Sequence, residues 1–225
     1  NHFNNMISEI ILRRHYKKYL EDGVISGGMK KNVDEADLCL SMRENGDDRT
    51  VQVVSPYNLM HELFSRKGAG TFIRKGYVIK PRPLLAVNPS VIKYLVEKRF
   101  RETLRDDYFA EPGKIAFLER NVKGVGIVMS NPAGFGDYLD IFADDERYEG
   151  LGVGSDILAS ILASQQRLAW RSRKDRPINQ WYLRVSNGHQ EFVGPGGVLF
   201  NGYWIGLNFD EARAFLNYTQ AKSSN

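Results

Sequence analysis

Three glycines on alternate positions, Gly150, Gly152 and Gly154, separate an apolar run from an apolar-periodic segment. The run is Tyr138-Leu139-Asp140-Ile141-Phe142-Ala143, which reads as a buried strand broken by one acid. The segment brings Leu151, Ile157, Leu158, Ile161, Leu162 and Leu168 to one helix face. Strand, glycine turn and helix start put unpaired amides and the positive end of a dipole at one point, which suits an anion. Glycine leaves room for a phosphate to approach the backbone. A bare strand-to-helix turn would look the same. Neither G-x-x-x-x-G-K-S/T nor G-x-G-x-x-G is present.

A second concentration of chemistry lies downstream, where Arg171, Arg173, Lys174 and Arg176 are flanked by Trp170 and Trp181. Three readings stand side by side. The cluster is a solvated basic turn between core aromatics, a surface for nucleic acid, or a site for a small carboxylate. The last follows because Arg171 and Arg173 alternate on a strand and point to one face. A guanidinium pairs with a carboxylate through two strong hydrogen bonds.

The elements that position these groups follow from periodicity and punctuation. Residues 10–22 read as a helix stopped by Gly23, 30–43 as a second helix, and 50–54 as a strand after the turn at 46–48. Pro56 opens a short helix over 57–65, 67–71 is a loop, and a short strand is expected at 77–80. Pro81-Arg82-Pro83 reads as a linker. Asn88-Pro89-Ser90 starts a helix with Ile92, Leu95, Val96, Phe100 and Leu104 on one face. Strands at 114–120 and 126–129 precede a Pro- and Gly-rich loop at 130–136, where an acceptor could enter.

The turn 149–154 resembles the pyrophosphate loop of the GNAT acetyltransferases, Q/R-x-x-G-x-G/A, with Glu149 at the Gln/Arg position. Over a longer stretch, LRDDY (104–108), YLDIFA (138–143), EGLGVG (149–154), LAWRSRKDRPINQWY (168–182) and GYWIGL (202–207) resemble the acetyltransferase domain of N-acetylglutamate synthases. The type is that of vertebrates and of bacterial bifunctional synthase-kinases. EDGVISGGM (21–29) and LMHELFSRKGAGTFIRKG (59–76) resemble the C-terminal part of an amino-acid kinase. Asn32 stands where such kinases have a phosphate-contacting lysine, and their N-terminal glycine loops do not occur in the sequence.

The resemblance implies an α/β chain: a GNAT-fold mixed sheet with flanking helices over 83–225, preceded by a partial amino-acid kinase segment over 1–82. It implies acetyl-CoA as cosubstrate, bound by Glu149, Gly150, Leu151, Gly152, Val153 and Gly154, and L-glutamate as acceptor. By position, Tyr138, Arg176 and Tyr182 are the catalytic candidates. Phe142, Arg171, Arg173 and Lys114 are the substrate-binding ones. Arg176 replaces a family asparagine, for which Asn179 and Asp175 are close enough in sequence to substitute. Glu102 replaces a family lysine, for which Lys114 stands in. Residues 188–201 look like an insertion. Implied too are arginine as an effector, a homo-oligomer formed through the kinase-like part, and a cytoplasmic or mitochondrial-matrix location. Alternatives are a GNAT enzyme with another acceptor, or a weakly catalytic regulatory subunit of a kinase-like assembly.

Composition suits a folded protein that takes an anionic ligand. Over 225 residues the charged side chains make up 26% and are well mixed, which excludes a disordered chain. A net charge of +4 suits an anion but is too small to require nucleic acid. Cys39 is the only cysteine, so no internal disulfide or cysteine zinc site is expected, and four scattered histidines offer no metal spacing. No apolar run reaches membrane length, no signal peptide is visible, and Asn1 in place of methionine implies a tag, a processing product or a cut at the beginning.

Overall fold

The structure is a computed structural model that describes residues 7–42, 48–64, 70–101 and 103–222. The chain divides into two compact units, 1–77 and 78–225. Of the expectations above, the turn residues 46 and 47, most of the loop 67–71 and Glu102 lie outside the described residues.

The first unit comprises β1 (Glu9–Ile11), α1 (Leu12–Glu21), α2 (Gly27–Ser41), β2 (Thr50–Val53), α3 (Leu59–Phe64) and β3 (Thr71–Arg74). Its strands lie in the order β1-β3-β2, with β1 parallel and β2 antiparallel to β3. Ile10 and Ile11 therefore belong to a strand rather than to the expected helix. Their side chains are β-branched, and Ile10 pairs with Ile73 inside the core, so tertiary pairing overrides helical periodicity. The second helix begins earlier than expected, at Gly27, with Ser26 as its cap residue. Ile10, Ile25, Val33, Ala36, Leu40 and Ile73 form the core of this unit. Arg74, 1% exposed, is neutralised by Glu9 at 2.7 Å.

The second unit holds β4 (Ile79–Pro83), α4 (Pro89–Phe100), β5 (Lys114–Glu119), β6 (Gly124–Met129), β7 (Asp137–Asp144) and α5 (Val153–Ser164). After these come β8 (Leu168–Arg173), α6 (Asn179–Val185), β9 (Gly188–Val193), β10 (Leu199–Ile205) and α7 (Phe209–Ala221). The sheet order is β4-β5-β6-β7-β8-β10-β9, antiparallel throughout except for the parallel pair β7/β8.

Residues 81–83 are not a linker. They continue the edge strand β4, where Pro81 pairs with Phe117 and Pro83 with Ile115. Proline is tolerated there because an edge strand has one side without a ladder, and alternate residues turn the missing N–H groups to that side. Residues 188–201 supply β9 and the start of β10, the antiparallel pair at the opposite edge.

Helices cover both faces. Ile92, Leu95 and Val96 of α4 share one cluster with Val125, Ile127, Ile141 and Ala143. On the opposite face of β6, a methyl added at Gly126 would lie 2.6 Å from Ile161 Cδ1. One added at Gly124 would lie 2.8 Å from Ile157 Cδ1. The absence of side chains there lets α5 settle against the sheet.

Candidate active site

The parallel strands β7 and β8 pair only at Asp137/Leu168, Tyr138/Ala169 and Leu139/Trp170. Beyond that point β7 continues along β6 to Asp144, while β8 continues along β10 to Arg173. The two strands diverge, and a cavity of about 740 Å³ opens between them. It lies at the carboxyl ends of parallel strands, where open α/β sheets bind ligands.

One end of the cavity is closed by the glycine turn. Gly150 and Gly152 have φ of +82° and +84°, a left-handed conformation that side chains disfavour. The first helical bond of α5 runs from Asp156 N–H to Gly152 O at 3.0 Å. The amides of Gly152, Val153, Gly154 and Ser155 precede it, and these residues line the cavity. A Cβ on Gly154 would lie 3.4 Å from the Phe142 ring. The turn is held from below by Asp145, which accepts from Arg147 N at 3.1 Å and from the Arg147 guanidinium at 2.5 Å. Arg147 holds the Asp145 carboxyl well below its ordinary range.

The wall is aromatic. Tyr182 lies 6.5 Å from Phe142, 5.5 Å from Trp170 and 5.4 Å from Tyr203, ring centre to ring centre. Burial pushes its phenol upward, helped by the charge of Asp144, so it stays protonated. Tyr138, 1% exposed, is likewise raised by burial, with Asp140 adding to the shift. Trp170 stacks on Tyr203, and its indole N–H is buried with no partner among the described residues.

Of the residues singled out from the sequence, Tyr138, Phe142, Glu149, Gly150, Gly152, Val153, Gly154, Arg171, Arg173, Arg176 and Tyr182 line this one cavity. Leu151 belongs to the turn but is not among the lining residues. Lys114 is not brought to the site. Its ammonium pairs with Glu111 at 2.7 Å, donates to Tyr108 O at 3.1 Å and lies over the Tyr108 ring. Burial lowers its pKa. Asn179 and Asp175 are not lining residues either, and the Asn179 amide is spent on the carbonyls of Arg173 and Lys174 at 2.7 and 3.0 Å. Arg171 reaches the wall but commits one nitrogen to Thr219 O at 2.7 Å and Lys222 O at 2.8 Å, at the end of α7.

The sequence reading missed two cations. Arg99, in the last turn of α4, faces Asp144 at 3.6 Å and Glu146 at 3.5 Å. Burial raises the Asp144 carboxyl, Arg99 opposes that rise, and Glu149 adds to it. Lys222 enters from beyond α7 and meets Asp140 at 2.5 Å. No local signal marks either residue, since both partners are remote in sequence.

A mixed sheet opened between two parallel strands, with a glycine turn presenting helix amides to the opening, defines a GNAT-type N-acetyltransferase fold. The chain belongs to the family described as NAT, the N-acetyltransferase of N-acetylglutamate synthase, whose model matches residues 82–222. It is 28% identical over 186 residues to an acetylglutamate kinase of Xylella fastidiosa, covering 82% of this chain and 43% of that protein. It is 31% identical over 161 residues to the mitochondrial N-acetylglutamate synthase of Danio rerio, covering 69% of this chain and 30% of that protein. A crystal structure of N-acetylglutamate synthase from Neisseria gonorrhoeae, complexed with coenzyme A and N-acetyl-glutamate, matches 89% of this chain and 51% of that one at 15% identity and a TM-score of 0.46. The chain spans less than half the length of the two curated relatives.

Proposed function

We propose that this chain moves an acetyl group from acetyl-CoA to the α-amine of L-glutamate. The observation that carries the reading is the divergence of β7 from β8 above the glycine turn, within a domain of the N-acetyltransferase family. The amides of Gly152, Val153, Gly154 and Ser155 suit a pyrophosphate, and the left-handed glycines let it approach. Past Leu139, β7 pairs with β6 alone among the described residues, so its other edge can bond to the amides of an extended ligand arm. Glu149 is exposed at the rim, and Arg99 supplies positive charge nearby.

For the chemistry, the acceptor's ammonium first loses a proton to solvent. Its nitrogen then bonds to the thioester carbon as the C–S bond breaks, and the second proton balances the departing sulfur. Tyr182, buried and protonated, is placed to give the sulfur its proton. Tyr138, raised in the same way, is a poor base and serves as a hydrogen-bond donor. Arg173 and Arg176, at the exposed end of the wall, attract the acceptor's side-chain carboxylate. Asp140 and the aromatic wall face the opposite end.

The rest of the assignment belongs to the same proposal. The likeness to the Xylella acetylglutamate kinase covers more of this chain than residues 82–222 amount to, which supports a kinase-like origin for the first unit. Assembly through that unit, response to arginine, and a location in the cytoplasm or the mitochondrial matrix follow from the same reading. No helix among the described residues is long and apolar enough to cross a membrane.

The test is direct. Calorimetry should show saturable coenzyme A binding, and an acetyl-transfer assay over L-glutamate, L-glutamine, L-aspartate and a polyamine should favour glutamate. A polyamine as best acceptor would mean the wall is not a carboxylate site.

A further inference from the structure

Lys222 stands just past α7, yet its ammonium reaches the cavity and lies 2.5 Å from Asp140 Oδ1. The two side chains are 14% and 3% exposed. The other neighbours of the ammonium are farther away: the Tyr218 hydroxyl at 3.5 Å, the Met129 sulfur at 3.7 Å and the Tyr138 ring centre at 4.8 Å. Only the bond to Asp140 is short; the long, weak ones to Tyr218 and Met129 are contacts that a carboxylate in the cavity would displace.

Asp140 is placed by an irregularity in the sheet. Ile127 opposes Ile141 and Val128 opposes Leu139, so Asp140 has no cross-strand partner on β6. An extra residue of this kind bends a strand and re-aims its side chain. The Asp140 Oδ2 accepts from the buried Tyr108 hydroxyl at 2.8 Å, which fixes the carboxylate plane and leaves Oδ1 directed at Lys222. Arg171 fixes the other partner, because its bonds to Thr219 O and Lys222 O tie the end of α7 to β8.

A buried ion pair is a poor way to hold a protein together, since well-packed apolar side chains of the same volume do as well or better. This pair is also placed at a ligand cavity, one residue beyond the last β7/β8 pairing. Two adjacent opposite charges are the complement of a zwitterion.

We propose that Asp140 and Lys222 together read the head of the acceptor as an α-amino acid. The acceptor's ammonium takes Asp140 Oδ1, and its α-carboxylate takes the Lys222 ammonium. The inference rests on the acetyl-transfer reading and adds its specificity. The amine is thereby held beside the point where the strands part. A simple amine satisfies Asp140 but leaves Lys222 without its carboxylate. Arg173 and Arg176, which line the exposed end of the cavity, face the distal carboxylate, and Arg171 is a positioning residue acting through the α7 terminus.

The experiment compares L-glutamate with 4-aminobutyrate, which keeps the amine and the distal carboxylate but lacks the α-carboxylate. Kinetics on the purified chain are run beside calorimetric binding of L-glutamate in the presence of coenzyme A. In Lys222→Met, KM and Kd for glutamate should rise by about tenfold to a hundredfold, the loss of one hydrogen bond to a charged group. The preference over 4-aminobutyrate should shrink by the same factor, with coenzyme A affinity unchanged. Lys222→Arg should recover most of the preference. Because Lys222→Met leaves Asp140 without its partner, the double variant Lys222→Met/Asp140→Asn, which strands no charge, is measured as well, with circular dichroism as the folding check. Folded variants that keep the wild-type ratio of the two acceptors overturn this inference alone. A wild-type chain that binds coenzyme A but acetylates neither acceptor overturns the acetyl-transfer reading, and the inference with it.

Discussion

On the proposed reading, cosubstrate binding turns on Gly152. Its φ of +84° costs a side chain about 1–2 kcal/mol, and an acid there also repels a phosphate. Gly152→Glu should abolish coenzyme A binding while leaving the far-ultraviolet circular dichroism unchanged; unaltered affinity in a folded variant would refute the phosphate assignment. On the same reading, acceptor choice at the open end turns on Arg173. Hydrogen bonds to charged groups contribute about 1.5–3 kcal/mol, so glutamine should trail glutamate by roughly tenfold to a hundredfold in kcat/KM. Arg173→Ala should narrow that gap as well as slow the reaction. A merely solvated arginine would change neither quantity.

At the scale of elements, the site depends on where α5 lies. Gly126 allows the helix to approach, and a valine there would drive its Cβ to within 2.6 Å of Ile161. Overpacking of this kind costs about 1–3 kcal/mol. Gly126→Val should lower Tm and weaken coenzyme A binding together, since the helix amides move with the helix. The turn before α5 adds a pH dependence. Asp145 is 5% exposed, and Arg147 depresses its carboxyl below the ordinary value of 3.8. A carboxylate depressed in the folded state stabilises above its unfolded pKa and loses that stabilisation as pH falls toward the folded value. Asp145→Asn should therefore be less stable than wild type near neutrality, and the difference should close as pH drops below about 4. A gap in Tm that stays constant down to pH 2 would contradict the assignment.

For the whole molecule, the boundary between units decides what can stand alone. A chain starting at Val78 retains β4, whereas one starting at Leu84 removes that edge strand and uncovers β5. The longer fragment should melt cooperatively and bind coenzyme A, and the shorter one should aggregate or melt far lower. Equal stability of the two would show that the edge strand is dispensable. On the proposed kinase-like origin of the first unit, no phosphotransfer to acetylglutamate is expected from it, because Asn32 occupies the position at which the resemblance implies a lysine. ATP turnover dependent on acetylglutamate would refute that.

Much of this was legible in the residues themselves. The glycine turn announces itself because strand, turn and helix are contiguous, and each follows from local periodicity and backbone freedom. The basic cluster between two tryptophans was visible too, although its three readings could not be separated without knowing what each arginine touches. Tertiary structure supplies that knowledge for Arg171, which gives one nitrogen to carbonyls 48 and 51 residues away. It also leaves Lys114 out of the cavity lining, because its buried ammonium is already paired with Glu111 three residues away. Ile10, Ile11 and Pro81 to Pro83 misled for one shared reason. Whether an apolar or proline-rich segment becomes strand depends on the edge it pairs with, and that edge lies 63 or 36 residues away in the pairs Ile10/Ile73 and Pro81/Phe117. The Asp140–Lys222 pair, separated by 82 residues, needed both a sheet irregularity and the path of the last helix, and no spacing in the sequence encodes either.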